Sequence, residues 1–325
     1  MPPCAVPKDQ KTIQMTITTL RSVFLATLAL PAWVAWDPLL SYFTAAFLLA
    51  LGMGIAIKKA PAEASAVDKI ILCGPVFIAM PMAVFGTEHF LFPIFIGRGV
   101  PAWIPAHTFW VYLVGTCLIL GALSIVVQKH AGLSAGLFGI MLLFFEILIH
   151  IPRVVAAPRD RVAWAVALRD LAFSCGALSF AATQTNEWRT KGTHWFIPLA
   201  RVYIGLAVLC FAAGHLLHPE LAPGIPLKTL TPTSIPAHLL WGYLTGVVYI
   251  VAGVCLIANK NGRLAATWIG LLVLFLVFIV YVPMMVQNGD IGNGLNPPVD
   301  TLMLSGAALC LAGSQRQQPS AWRTT

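Results

Sequence analysis

Ile104-Pro105-Ala106-His107, followed by Trp110, Tyr112, Leu113 and Gly115, recurs as Ile235-Pro236-Ala237-His238, followed by Trp241, Tyr243, Leu244 and Gly246. With the offset of 131 held and no gap allowed, Pro101 to Pro152 matches Pro232 to Pro283 at 17 of 52 positions. A match of that length is an internal repeat, so the chain is expected to use one supersecondary unit twice. His89 and Pro93 answer to His215 and Pro219 at offset 126, which gives the second copy five more loop residues. Downstream, Asp170 and Gly176 align on Asp300 and Gly306 at offset 130. The unit is about 115 residues, room for roughly four membrane crossings.

Composition decides the solvent. The chain is 58% hydrophobic and 10% charged, against about 25% charged in soluble domains, so it has too little polar surface to sit in water. Spans in hydrocarbon must satisfy their own backbone amides, and the long unbroken apolar runs favour helices over a closed barrel. The fold class is therefore all-α: a polytopic helical membrane protein of about ten transmembrane helices, with two parallel four-helix repeats after an N-terminal helical hairpin. The net charge of +8 is read as a topology signal rather than as a nucleic-acid surface. The seven cysteines are scattered without a CxxC pair and read as small core residues.

Residues 1–69 form the tail and hairpin, Leu20 to Trp36 and Leu40 to Ile57, joined at Asp37-Pro38. The first run has signal-peptide features but is read as a retained helix. The first repeat, 70–184, has apolar runs Ile70 to Phe90, Phe109 to Val127, Leu133 to His150 and Val162 to Thr183. A polar linker, 185–195, follows. The second repeat, 196–314, has runs Phe196 to Leu217, Leu239 to Ala258, Leu264 to Val286 and Val299 to Gly313, and 315–325 is a polar tail. With the N-terminus inside, 14 of the 20 Lys and Arg residues fall on the inner side, which predicts that both termini are cytoplasmic. Four crossings per repeat orient both copies alike.

This connectivity puts His89, His107, His150 and Asp170 at one membrane depth, with His215, His238, Tyr281 and Asp300 as counterparts and His218 added. The expectation is a polar belt, a binding surface under the outer interface. His107 and His238 follow proline at a helix start and precede interfacial Trp and Tyr, so capping competes with a functional role. Glu146 and His150, four apart in an apolar run, share a helix face and with His107 make a candidate proton relay. Arg169, Asp170 and Arg153 suggest an outer ion-pair network, while Asp300 has no arginine beside it in sequence. No HExxH or CxxCH motif fixes a metal or haem, so neither is expected.

The helix that carries Arg201 near its start and closes on Gly214-His215 with Pro219, the proline-rich loop after it, Trp241 to Gly246, and the basic turn Lys260 to Arg263 resemble the DoxX-type family of small four-helix bacterial membrane proteins. Each repeat would be one such unit. Pro75 stands where Arg201 does, and Leu118 and Tyr249 stand where many members carry a glutamate. The resemblance implies subunits linked to thiosulfate:quinone oxidoreduction and to membrane thiol redox complexes. The function read from these features is an accessory or partner-binding membrane subunit with a His/Asp-lined outer pocket. The alternatives are a quinone-linked oxidoreductase subunit, with quinone as cofactor and a redox or thioredoxin-like protein as partner, and a small-molecule transporter. Apart from such partners the chain contacts the lipid bilayer, and no nucleic acid is expected.

Overall fold

The computed structural model describes residues 36–184, 195–288 and 296–315. The chain divides into Met1–Leu39 and Leu40–Thr325. Almost all of the first unit, and with it the first hairpin run, lies outside the described residues, as do most of the linker and of the polar tail. The helices are α1 (Trp36–Lys58), α2 (Ala66–Leu72), α3 (Gly74–Leu91), α4 (Pro93–Gly97), α5 (His107–Val126), α6 (Ala131–Phe145), α7 (Ile151–Ala156), α8 (Arg161–Gln184), α9 (Phe196–Leu217), α10 (His238–Ile257), α11 (Gly262–Leu276), α12 (Val282–Asn288) and α13 (Asn296–Gln315). Among the described residues there is no strand, only an isolated bridge between Leu221 and Leu230.

Seven described segments are long and apolar enough to cross a membrane: Ala66–Leu91, His107–Val126, Ala131–Ala156, Arg161–Gln184, Phe196–Leu217, His238–Ile257 and Gly262–Val286. The protein is thus all-helical with the spans of a multi-pass membrane protein. Large apolar side chains such as Phe109, Leu120, Leu137, Phe144, Leu240, Val251, Trp268 and Phe278 are exposed on these spans. Water would penalise that surface, whereas acyl chains accept it. Helix α13 is the opposite case, buried along nearly its whole length from Pro298 to Ala312.

Matching stretches of sequence start helices at matching positions. Helices α5 and α10 begin at His107 and His238, and α6 and α11 begin at Ala131 and Gly262, so each pair is offset by 131. Ala106 and Ala237 both take left-handed φ, 57° and 54°. That conformation is costly for a residue with a Cβ. Each turn is held by the following tryptophan, whose Nε1 donates to the proline carbonyl: Trp110 to Pro105 at 3.1 Å and Trp241 to Pro236 at 3.0 Å. The Ile-Pro-Ala-His phrase is first of all a helix-entry device.

Two of the spans widen into a π-turn, Glu146–His150 and Val277–Tyr281. Ile151 N–H bonds to Glu146 O and Val282 N–H to Val277 O, five residues back. Pro152 and Pro283 explain both, because proline has no N–H to give and its ring crowds the preceding turn.

The last spans correct the alignment by one residue. Ser174 Oγ donates to Gly139 O and Ser305 Oγ to Gly270 O, both at 2.8 Å, so offset 131 continues through α8 and α13. Asp170 therefore corresponds to Thr301, not Asp300, and Gly176 to Ala307, not Gly306. Asp300 corresponds to Arg169.

Where α8 meets α13, a Cβ added to Gly176 would overlap Ala307 Cα and Cβ. Equivalent residues thus meet at 176 and 307, and again at 169 and 300 one heptad earlier. Matching contacts at a constant offset require the two helices to run parallel and in register. Small residues at such a crossing let the backbones close, which is how helices gain contact in lipid. Helix α13 also packs on α3, and α8 on α9.

Candidate functional site

At the seam between α8 and α13, Arg169 is the hub. Its Nε donates to Asp170 Oδ1 at 2.7 Å and its Nη1 to Asp300 Oδ2 at 2.5 Å. His150, at the end of the first π-turn, places Nε2 2.9 Å from Asp170 Oδ2. The Phe173 ring lies 5.7 Å from the guanidinium carbon. The Arg169 side chain is 15% exposed and both aspartates 12%, so the cluster is largely shielded from solvent. Unpaired charge would be costly in that setting, and mutual pairing offsets the cost.

Two further acids flank this core. Glu146 opens the π-turn beside His150 and Asp170 and interacts with both, while Glu88, near the end of α3, lies near Asn296 and faces the charge of Asp300. Glu88 Oε1 and Glu146 Oε2 are buried with no hydrogen-bond partner. Glu146 thus adds an acid beside Asp170 and His150, and Glu88 adds one on the Asp300 side. Acid and base groups lie side by side in this set, the chemistry that proton uptake and release needs.

On the second-repeat side the polar groups continue. Tyr281, the counterpart of His150, lies close to Thr301, the counterpart of Asp170, and to Asp300. Its hydroxyl donates to Pro223 O at 2.8 Å. Pro223 belongs to the loop made longer by the five extra residues. Ala222 N–H to Thr229 O at 2.8 Å and Thr231 N–H to Glu220 O at 2.9 Å close this loop, and Leu221 to Pro226 are buried. Arg161 holds it through the carbonyls of Pro226 and Leu227. His215 Nε2 accepts the N–H of Gly224 at 3.1 Å, where φ of 111° suits glycine alone.

The expected belt therefore separates into parts. His150, Asp170 and Asp300 come together, with Glu146 beside them and Tyr281 at the edge. His89 is turned back on its own helix, Nδ1 to Phe85 O at 2.7 Å. His215 is committed to the loop, and His218 pairs with Glu220 at 3.3 Å near the surface. His107 and His238 are half-buried at their helix starts, and neither joins the cluster's ion pairs. The relay reading keeps Glu146 and His150 but has no contact to carry it to His107. Arg153 is exposed and is not part of the ion-pair network.

Sequence reasoning missed Glu88, Asn296 and the role of Arg161. Glu88 carried one signal, an acid followed by His89 at the end of an apolar run. Among the described residues no three His, Cys, Asp or Glu side chains are grouped as a metal site requires.

Compared with protein-family models, with curated proteins and with solved structures, the chain matches none.

Proposed function

We propose that the protein is an accessory, ligand-binding subunit of the bacterial inner membrane whose working site is the acid-rich cluster around Arg169, and that this site exchanges protons. In this reading the fold is two tandem four-helix repeats of the DoxX type in like orientation, with both termini cytoplasmic. The parallel run of α8 and α13 supports the shared orientation. The basic end of the helices supports the topology, since Lys58, Lys59, Lys69, Lys129, Arg201, Lys260 and Arg263 outnumber Glu63 and Asp68 there.

One observation carries the proton-exchange reading. A purely structural ion pair needs one acid per guanidinium and leaves no buried acceptor unfilled. Here Glu88 and Glu146 add two carboxylates, each with a buried oxygen that nothing in the described protein satisfies. Surplus buried acid within a membrane span is the usual mark of a site that works on protons or cations.

Infrared difference spectroscopy between two pH values, on the purified full chain in lipid, tests this. The expected result is a carboxylic C=O band that titrates in the wild type and loses a component in Glu146→Gln and another in Glu88→Gln, with the amide bands unchanged. A spectrum without a titrating carboxyl band, or one that neither substitution alters, contradicts the reading.

A further inference from the structure

Pro223 and Gly224 share one peptide group, and two buried side chains hold it at opposite edges. Tyr281 Oη donates to Pro223 O at 2.8 Å, and Gly224 N–H donates to His215 Nε2 at 3.1 Å. The carbonyl and the N–H of a trans peptide point opposite ways, so phenol and imidazole clamp the loop between them. Because Nε2 accepts a hydrogen bond it carries a lone pair, and the proton of the neutral ring sits on Nδ1. That Nδ1 is buried without a hydrogen-bond partner, on a residue that is 0% exposed.

A second group in the same condition lies beside it. Tyr249, on α10, is also 0% exposed, and its Oη is buried with no partner. The ring centroids of His215 and Tyr249 are 6.3 Å apart, with the planes tilted at 60°. Tyr281 lies close to Tyr249 as well, and its hydroxyl oxygen, having donated to Pro223 O, can still accept. One imidazole N–H and two hydroxyls thus come together from α9, α10 and the π-turn after α11. The matching stretch earlier in the chain lacks the arrangement. Leu118 stands 131 residues before Tyr249, and His89, which aligns on His215, bonds through Nδ1 to Phe85 O at 2.7 Å.

We propose that His215 Nδ1 and Tyr249 Oη bind a water molecule beneath the Pro223–Gly224 peptide. Enclosed polar groups that the protein leaves over are filled by water where several partners converge. The ligand is neutral, because neither ring supplies a charge to balance a buried ion, and the guanidinium of Arg161 is spent on Pro226 O and Leu227 O. The water accepts from Nδ1–H, exchanges a hydrogen bond with Tyr249 Oη, and so ties α10 to the imidazole that holds the loop. It stands apart from the proton-exchange reading, since neither His215 nor Tyr249 joins the Arg169 ion pairs.

Pro223-Gly224 is the one Pro-Gly pair in the sequence, so carbonyl-labelled proline with nitrogen-labelled glycine marks this peptide alone. Solid-state NMR of the full chain in lipid bilayers, with ring-nitrogen-labelled histidine added, picks out His215 by its contact with the Gly224 N–H. The expected result is a neutral imidazole with a bare Nε2 and a protonated Nδ1, and magnetisation that passes from water to that Nδ1–H. Tyr249→Phe, which keeps the ring and removes the hydroxyl, is expected to lower this transfer severalfold, about what the loss of one hydrogen bond is worth. Tyr243→Phe, exposed on the same helix, leaves it unchanged. A proton on Nε2, an Nδ1–H that receives nothing from water, or a transfer that Tyr249→Phe does not lower or Tyr243→Phe lowers equally overturns the proposal. Should Tyr249→Phe not fold, the tautomer and the water transfer of the wild type decide it.

Discussion

Arg169→Met is expected to destabilise the protein by about 3–5 kcal/mol, the cost of removing one partner from a buried ion pair. The arginine pairs with Asp170 and Asp300 at once, and without it two carboxylates face each other across the seam between α8 and α13. Most of the loss comes from stranding those charges rather than from the missing contacts. The triple variant Arg169→Met, Asp170→Asn, Asp300→Asn should therefore recover much of the stability, since it removes the acids along with their partner. Thermal unfolding of the purified protein in one detergent measures both. A wild-type melting temperature for Arg169→Met, or a triple variant no better than the single one, would mean that the ion pairs do not hold the seam.

Gly176→Val is expected to do comparable damage by geometry alone. The added Cβ would fall on Ala307 Cα and Cβ and reach 2.9 Å from Ala307 O. Backbone cannot swing aside as a flexible side chain can, so the loss should reach at least the ~3 kcal/mol upper end of ordinary overpacking. Ala307→Gly should not rescue it, because the Cα and carbonyl remain. Gly136→Ala serves as control, since its added Cβ would meet only Ala181 Cβ at 3.6 Å, an ordinary contact. The folded fraction after detergent extraction, read by size-exclusion chromatography, should fall sharply for Gly176→Val and stay at wild type for Gly136→Ala.

Helix positions were legible in the sequence because apolar runs in a membrane protein have few ways to end. The run Val162 to Thr183 became Arg161–Gln184, and Phe196 to Leu217 matched the observed helix at both ends. The partner of Asp300 was not legible. Aligning Asp170 on Asp300 and Gly176 on Gly306 gains two identities at offset 130, yet the serine bonds to Gly139 and Gly270 keep the helices at 131. That single residue puts opposite charges, Arg169 and Asp300, opposite each other at the seam between α8 and α13.

Glu88 was hidden for a different reason. At the end of an apolar run an acid reads as a helix exit into water, and only the packing of α13 on α3 buries it. The loop from Leu221 to Pro226 likewise reads as a solvent loop from its prolines and glycine. Its burial depends on Arg161, His215 and Tyr281, which come from three different helical segments. Local sequence carries no record of such long-range satisfaction of backbone groups.

The most direct test of the two-repeat architecture is accessibility labelling of single cysteines at positions 131 residues apart, introduced into a cysteine-free chain. Ala102 and Thr233 are exposed before the first turns of α5 and α10, and Lys129 and Lys260 are exposed at the other ends. The account predicts that a membrane-impermeant maleimide applied to intact cells modifies Ala102→Cys and Thr233→Cys alike, and modifies Lys129→Cys and Lys260→Cys only after permeabilisation. Modification of just one member of either pair in intact cells would contradict it.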